Sequence, residues 1–108
     1  MTNHKDERQA ELLRELAAEY LLVESNTNSL ITVTRVEMLD RGRRANILFT
    51  VLPTEMQDQA LDFAKRRRND FRKFLMDKKL FGFAPRIDFE IDYGERNRQR
   101  IDELSNEG

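Results

Sequence analysis

Lys65, Arg66, Arg67, Arg68, Arg72 and Lys73 fall within nine consecutive positions of the stretch AKRRRNDFRKF, residues 64–74. Lys78 and Lys79 follow, and Arg41, Arg43 and Arg44 form a second basic group. This is the chemistry of a phosphate surface, because guanidinium forks grip phosphate oxygens in pairs and ammonium groups add point charge. A solvated helix face is the bland alternative, and most charge runs are that. Two features favour phosphate. The run sits at a break in a helical pattern, where the free amides and dipole of a following helix attract anions. The surroundings are also acidic: net charge is −3 over residues 1–30, +2 over 31–52, +4 over 53–86 and −4 over 87–108, within a total of −1. Such asymmetry points to a polyanionic partner.

No other residues suggest chemistry. Asp88, Glu90 and Asp92 share one phase of a strand pattern and read as a solvated face. A glycosidase needs such a carboxylate pair, but nothing here signals a cleft around it. His4 is the single histidine, and the chain has no cysteine. Thiolate nucleophiles, disulfides and cysteine metal sites are therefore excluded. There is no P-loop, no G-x-G-x-x-G and no nucleophile motif. The sequence predicts no enzyme, no cofactor, no metal site and no small-molecule substrate.

These residues must be positioned by a small fold. At 108 residues, 39% hydrophobic and 36% charged, the chain suits one modest core. It has neither a signal-peptide pattern nor a membrane span, and reads as soluble and cytoplasmic. Leu12, Leu13, Leu16, Ala17, Tyr20 and Leu21 recur at helical spacing, predicting a first helix over residues 6–24. LITVTRVEM, residues 30–38, is a strand whose apolar phase switches, predicting a bulge near Thr34–Arg35. DRGRR, residues 40–44, is a hairpin loop, and Ala45, Ile47, Phe49 and Val51 are the inner face of a second strand.

Thr54 and Gln57 predict a capping box that opens a second helix. Met56, Ala60, Phe63 and Ala64, then Phe71, Phe74 and Leu75, form its stripe, in which Ala60, Ala64, Phe71 and Leu75 span only about 60° at helical pitch. Arg67 falls just beside that arc, inside the wider stripe that Phe63 and Phe74 complete. A kink is expected at Arg67–Asn69, with Asn69 free to adopt left-handed backbone. Arg67 either touches phosphate or, on the bland reading, snorkels with its methylenes over the core. Gly82 stops the second piece. Phe71 and Phe74 read as core rather than as stacking platforms, and Phe81 and Phe83 have no assigned place. RIDFEIDY, residues 86–93, is a third strand with Asp88, Glu90 and Asp92 outward. The order is α-β-β-α-(kink)-α-β. The fold class is α+β, with a three-stranded sheet and helices on one face. Residues 1–93 form the domain and 94–108 a polar tail with a candidate helical turn around Ile101 and Leu104.

This order resembles a type II KH-like domain, and the segments resemble the ribosome-binding factor A family. The resemblance rests on LITVTRVEMLDRGRRANILFTVL, on ALDFAKRRRNDFRKFLMDKKLFGFAPRIDFEIDY and on the terminal RIDEL. It implies a non-enzymatic factor that binds the immature small (30S) ribosomal subunit and assists late 16S rRNA maturation. It also implies a helix kink at an Ala-x-Gly motif. The matching positions here are Arg67, Arg68 and Asn69, so neither the alanine nor the glycine is present. The candidate RNA-contacting set is Lys65, Arg66, Arg67, Arg68, Asn69, Arg72, Lys73, Lys78, Lys79, Arg41, Arg43 and Arg44, acting from a monomer. A general RNA-binding KH domain and a protein-interaction module are the alternatives.

Overall fold

A computed structural model of the chain describes residues 4–24, 29–78, 84–95 and 97–98. Its elements are α1 (His4–Glu24), β1 (Leu30–Leu39), β2 (Arg44–Leu52), α2 (Gln57–Arg66), α3 (Arg68–Asp77) and β3 (Arg86–Ile91). The sheet order is β1-β2-β3, with β1 and β2 antiparallel and β2 and β3 parallel. A parallel pair needs a long crossover, and α2 and α3 supply it.

One cluster of buried side chains joins the helices to the inner face of the sheet. Leu13, Leu16, Ala17, Tyr20 and Leu21 of α1 meet Val33, Ile47, Phe49, Val51, Phe89 and Ile91, together with Ala60, Ala64, Phe71 and Leu75. Phe49, Phe71 and Phe89 are fully buried. Phe89 lies edge-on to Phe49 and Phe71, at centroid distances of 6.4 and 5.9 Å. Tyr20 meets Phe71 at 5.2 Å, tying α1 to α3. Removing one such ring costs about 3–5 kcal/mol. The expected order and single helical layer are both present.

The bulge is where the apolar phase switches. Val33 pairs with Phe49 and Arg35 with Leu48, leaving Thr34 as the extra residue. The Thr34 hydroxyl lies 2.6 Å from Asp92 Oδ2 and donates to it. This overturns the outward place expected of Asp92. β3 ends at Ile91, and Asp92 is only 5% exposed. Asp92 Oδ1 also accepts from the amide of Glu95, as a helix-capping carboxylate does. Residues 93–95 and 97–98 are helical; Tyr93 is thus not the end of the third strand, and the others lie in the stretch read as a polar tail. The turn expected around Ile101 and Leu104, and Lys79, Phe81, Gly82 and Phe83, lie outside the described residues.

Two local expectations fail. No capping box forms: Thr54–Met56 is a 3₁₀ turn, and α2 begins at Gln57 without a side-chain cap. The kink also needs no left-handed residue. Arg67 alone separates α2 from α3, at φ −96 and ψ 5, a right-handed bridge conformation open to most residues. Its amide donates to the Ala64 carbonyl, and its own carbonyl accepts from Phe71. Asn69 lies inside α3. Left-handed backbone occurs instead in the hairpin loop, at Asp40, Arg41 and Gly42 with φ of 53, 56 and 82. Glycine adopts it freely and aspartate tolerates it, while Arg41 bears a cost of about 1–2 kcal/mol.

Two tests follow from these contacts. Asn69→Gly is expected to lower stability by roughly 0.3 kcal/mol in urea unfolding, the difference between the two residues within a helix; a stabilised variant would indicate left-handed backbone at that position. Burial pushes the Asp92 carboxyl up, but Thr34, the Glu95 amide, Arg35 and the Gly94 amide outweigh it and hold it below the ordinary aspartate value. Its stabilisation is therefore complete above the unfolded value of about 4 and fades as pH falls below it. Asp92→Ala should cost about 1–3 kcal/mol at neutral pH, and its gap from wild type should narrow in acid.

Candidate nucleic-acid interface

The crossover carries the basic run over the β3 edge of the sheet, and its cations divide among distinct partners. Lys65 Nζ lies 3.1 Å and Arg68 Nη1 3.3 Å from the same oxygen, Asp88 Oδ1. The Phe89 amide donates to that oxygen as well, at 2.9 Å. Burial pushes the Asp88 carboxyl up, yet the hydrogen bonds from Lys65, Phe89 and Arg68 outweigh it and hold it below the ordinary value. Arg66 pairs with Asp62 at 3.1 Å on an open face of α2. Arg67 is half-buried, with its guanidinium 5.2 Å from the centre of the Phe63 ring and 3.9 Å from Asp70. A cation over an aromatic face with a carboxylate nearby gives Arg67 a local partner on each side of the kink. Arg72 donates through Nε and Nη2 to the Ala84 carbonyl, at 3.3 and 3.2 Å. Lys78 lies over the Phe74 ring at 5.0 Å, at the far end of α3.

The register of β2 against β3 brings the hairpin to this edge. Arg44 pairs with Arg86, Asn46 with Asp88 and Leu48 with Glu90. A groove of about 450 Å³ results, lined by Arg44, Arg68, Asn69, Arg72 and Arg86 together with Asn46, Asp88 and Glu90. Four arginines face two carboxylates, leaving a net excess of two positive charges along the lining. Asn46 donates from Nδ2 to Glu90 at 3.0 Å, which fixes its amide orientation, and its buried Oδ1 has no hydrogen-bond partner.

The structure thus unites Arg44, Arg68, Asn69 and Arg72 of the predicted set. Lys65 reaches the groove through Asp88. Arg41 and Arg43 are exposed on the hairpin loop beside it, and Lys73 is exposed on α3. Arg66, Arg67, Lys73 and Lys78 do not line the groove, and Lys79 is outside the described residues. Sequence reasoning misses Arg86. Its only signal there is a lone cation opening a strand; its significance comes from the strand it pairs with. Asp88 reads in sequence as a solvated side chain, whereas it engages two of the candidate cations. Among the described residues, no group of histidine, cysteine, aspartate or glutamate could hold a metal ion. None of the described helices is long and apolar enough to cross a membrane.

A family model, ribosome-binding factor A, matches residues 5–105. The chain belongs to the ribosome-binding factor A family. Two solved structures support the fold. The crystal structure of ribosome-binding factor A from Thermus thermophilus superposes with a TM-score of 0.67 at 19% identity, over 78% of this chain and 92% of that one. The solution structure of a Thermotoga maritima protein described as a candidate ribosome-binding factor A gives 0.61 at 24% identity, over 76% and 85%. No curated protein matches the sequence significantly. The family match extends through the helical residues after Asp92, so this ribosome-binding factor A homologue shares more than its sheet and crossover with the family.

The paired cations, together with the Phe89 amide, hold the Asp88 carboxyl low. In a Lys65→Met/Arg68→Met variant the burial effect is left less opposed. The Asp88 midpoint, followed by carboxyl-carbon NMR during acid titration, is expected to rise above its wild-type value. An unchanged midpoint would mean that the two ion pairs contribute nothing in solution.

Proposed function

We propose that this protein binds the immature small ribosomal subunit and assists late maturation of its 16S rRNA, using the groove where hairpin and elbow meet. It acts as a monomeric binding factor in the cytoplasm, without cofactor or catalytic step. Membership of the ribosome-binding factor A family supports a ribosomal partner. The observation that carries the RNA contact is the opposition of Arg44 and Arg86 in register on neighbouring strands, with Arg68 and Arg72 along the same groove. Like charges directly opposite each other destabilise a sheet. A phosphate between them turns that repulsion into attraction, so the arrangement suits a polyanion better than it suits the isolated protein. Such contacts set position, while RNA shape and single-stranded regions supply selectivity.

Sedimentation with immature and mature small subunits, at low and moderate salt, tests this. Selective co-sedimentation with immature subunits is expected, falling steeply as salt rises because phosphate binding releases counterions. Arg44→Glu/Arg86→Glu should abolish it, and Arg66→Glu, outside the groove, should weaken it less. A folded wild-type protein that ignores subunits would overturn the proposal. Equal binding to arbitrary single-stranded RNA would favour a general RNA-binding domain, and subunit binding indifferent to the arginine substitutions a protein-interaction module.

A further inference from the structure

The charges of the groove are unevenly committed. Arg44 and Arg86 oppose each other across β2 and β3, whereas Lys65 and Arg68 converge on one carboxylate oxygen of Asp88. That carboxylate lines the same groove as the arginines, two residues along β3 from Arg86. It is the position an incoming phosphate oxygen would compete for. A carboxylate and a phosphate present the same chemistry to a guanidinium, namely anionic oxygens that accept charge-assisted hydrogen bonds. The Asp88 side chain is 43% exposed, and those of Lys65 and Arg68 are 38% and 46% exposed. Pairs this open are weak and exchange readily.

We propose that Asp88 is an internal competitor for RNA phosphate: Lys65 and Arg68 rest on it in the free protein and exchange it for phosphate when RNA enters the groove. This deepens, and rests on, the RNA contact proposed above. The carboxylate keeps the two cations extended toward the groove and lowers the attraction that any isolated polyanion meets. An RNA must then present phosphates to Arg44 and Arg86 as well as to Arg68 before the exchange is favourable. Asp88 is thereby a determinant of selectivity and not a contact residue. Its Oδ1 is also held by the Phe89 amide, so it stays in place when the cations leave.

The test is filter binding of a 16S rRNA transcript at fixed low salt, with wild type, Asp88→Asn, Lys65→Ala/Arg68→Ala and the triple combination. Asparagine keeps an acceptor for the Phe89 amide and removes the charge. Asp88→Asn is expected to bind roughly threefold to tenfold more tightly, the scale of two exposed ion pairs released for other use. In the Lys65→Ala/Arg68→Ala background the gain should shrink to less than about twofold, because the competitor then has nothing to hold. An equal gain in both backgrounds would assign the effect to general charge and overturn the proposal, as would unchanged or weaker binding by Asp88→Asn. Asp88→Ser repeats the measurement should the asparagine variant melt early. If Arg44→Glu/Arg86→Glu leaves transcript binding intact, the groove itself is not the RNA site and both proposals fall. If that variant loses binding while Asp88→Asn gains none, only the competitor falls.

Discussion

Everything at the basic edge depends on the parallel pairing of β2 with β3. Parallel strands cannot be joined by a tight turn, so the chain must cross over the inner face. The helix pair does this, and its aromatic residues hold the register. Phe89 is gripped from both sides by Phe49 and Phe71, all three fully buried. A shift of one residue would turn Phe89 outward and expose its ring to water. The same register places Arg44 beside Arg86 and Asn46 beside Asp88 on the opposite face. The apolar half of β3 thus decides where its charged half lies.

The elbow shows how little is needed to break a helix. One residue, Arg67, leaves helical geometry for the bridge region, and α3 resumes at Arg68. No glycine is required, because the conformation stays on the right-handed side of backbone space. An arginine is also tolerable at the break for a reason of packing. Its guanidinium lies over the Phe63 ring and near Asp70, and its side chain stays partly in solvent, so the charge is not buried.

Opposite charges serve two ends here. Asp92 is buried and committed, receiving the Thr34 hydroxyl, the Glu95 amide and the nearby Arg35, and so locks the β1 bulge to the end of β3. Asp88, four residues earlier, is half-open and shared between two half-exposed cations. The two look alike in sequence and differ because β3 ends between them. Asp88 remains on the pleated outer face, whereas the chain turns at Asp92 to start a helical segment.

The element order, the bulge near Thr34, the buried stripe of α1 and the break at Arg67 were all legible in the sequence. Each is a local or periodic signal: apolar spacing of three and four, alternation of two, and a charge where an apolar residue belongs. The basic run was legible as well, since density of charge is a property of composition. The absence of a capping box, the right-handed backbone of the kink and the burial of Asp92 were not. The burial of Asp92 depends on Thr34, which is distant in sequence. The other two turn on which nearby backbone bonds form, and residue types alone do not decide that. Only the tertiary structure separated arginines that share a groove from arginines that merely share a stretch. It recruited Arg86 from another strand, left Arg66 with Asp62 outside, and set Asp88 against Lys65 and Arg68. Charges act through space with a reach of a few ångströms, so their neighbours are set by strand register and helix crossing rather than by order along the chain.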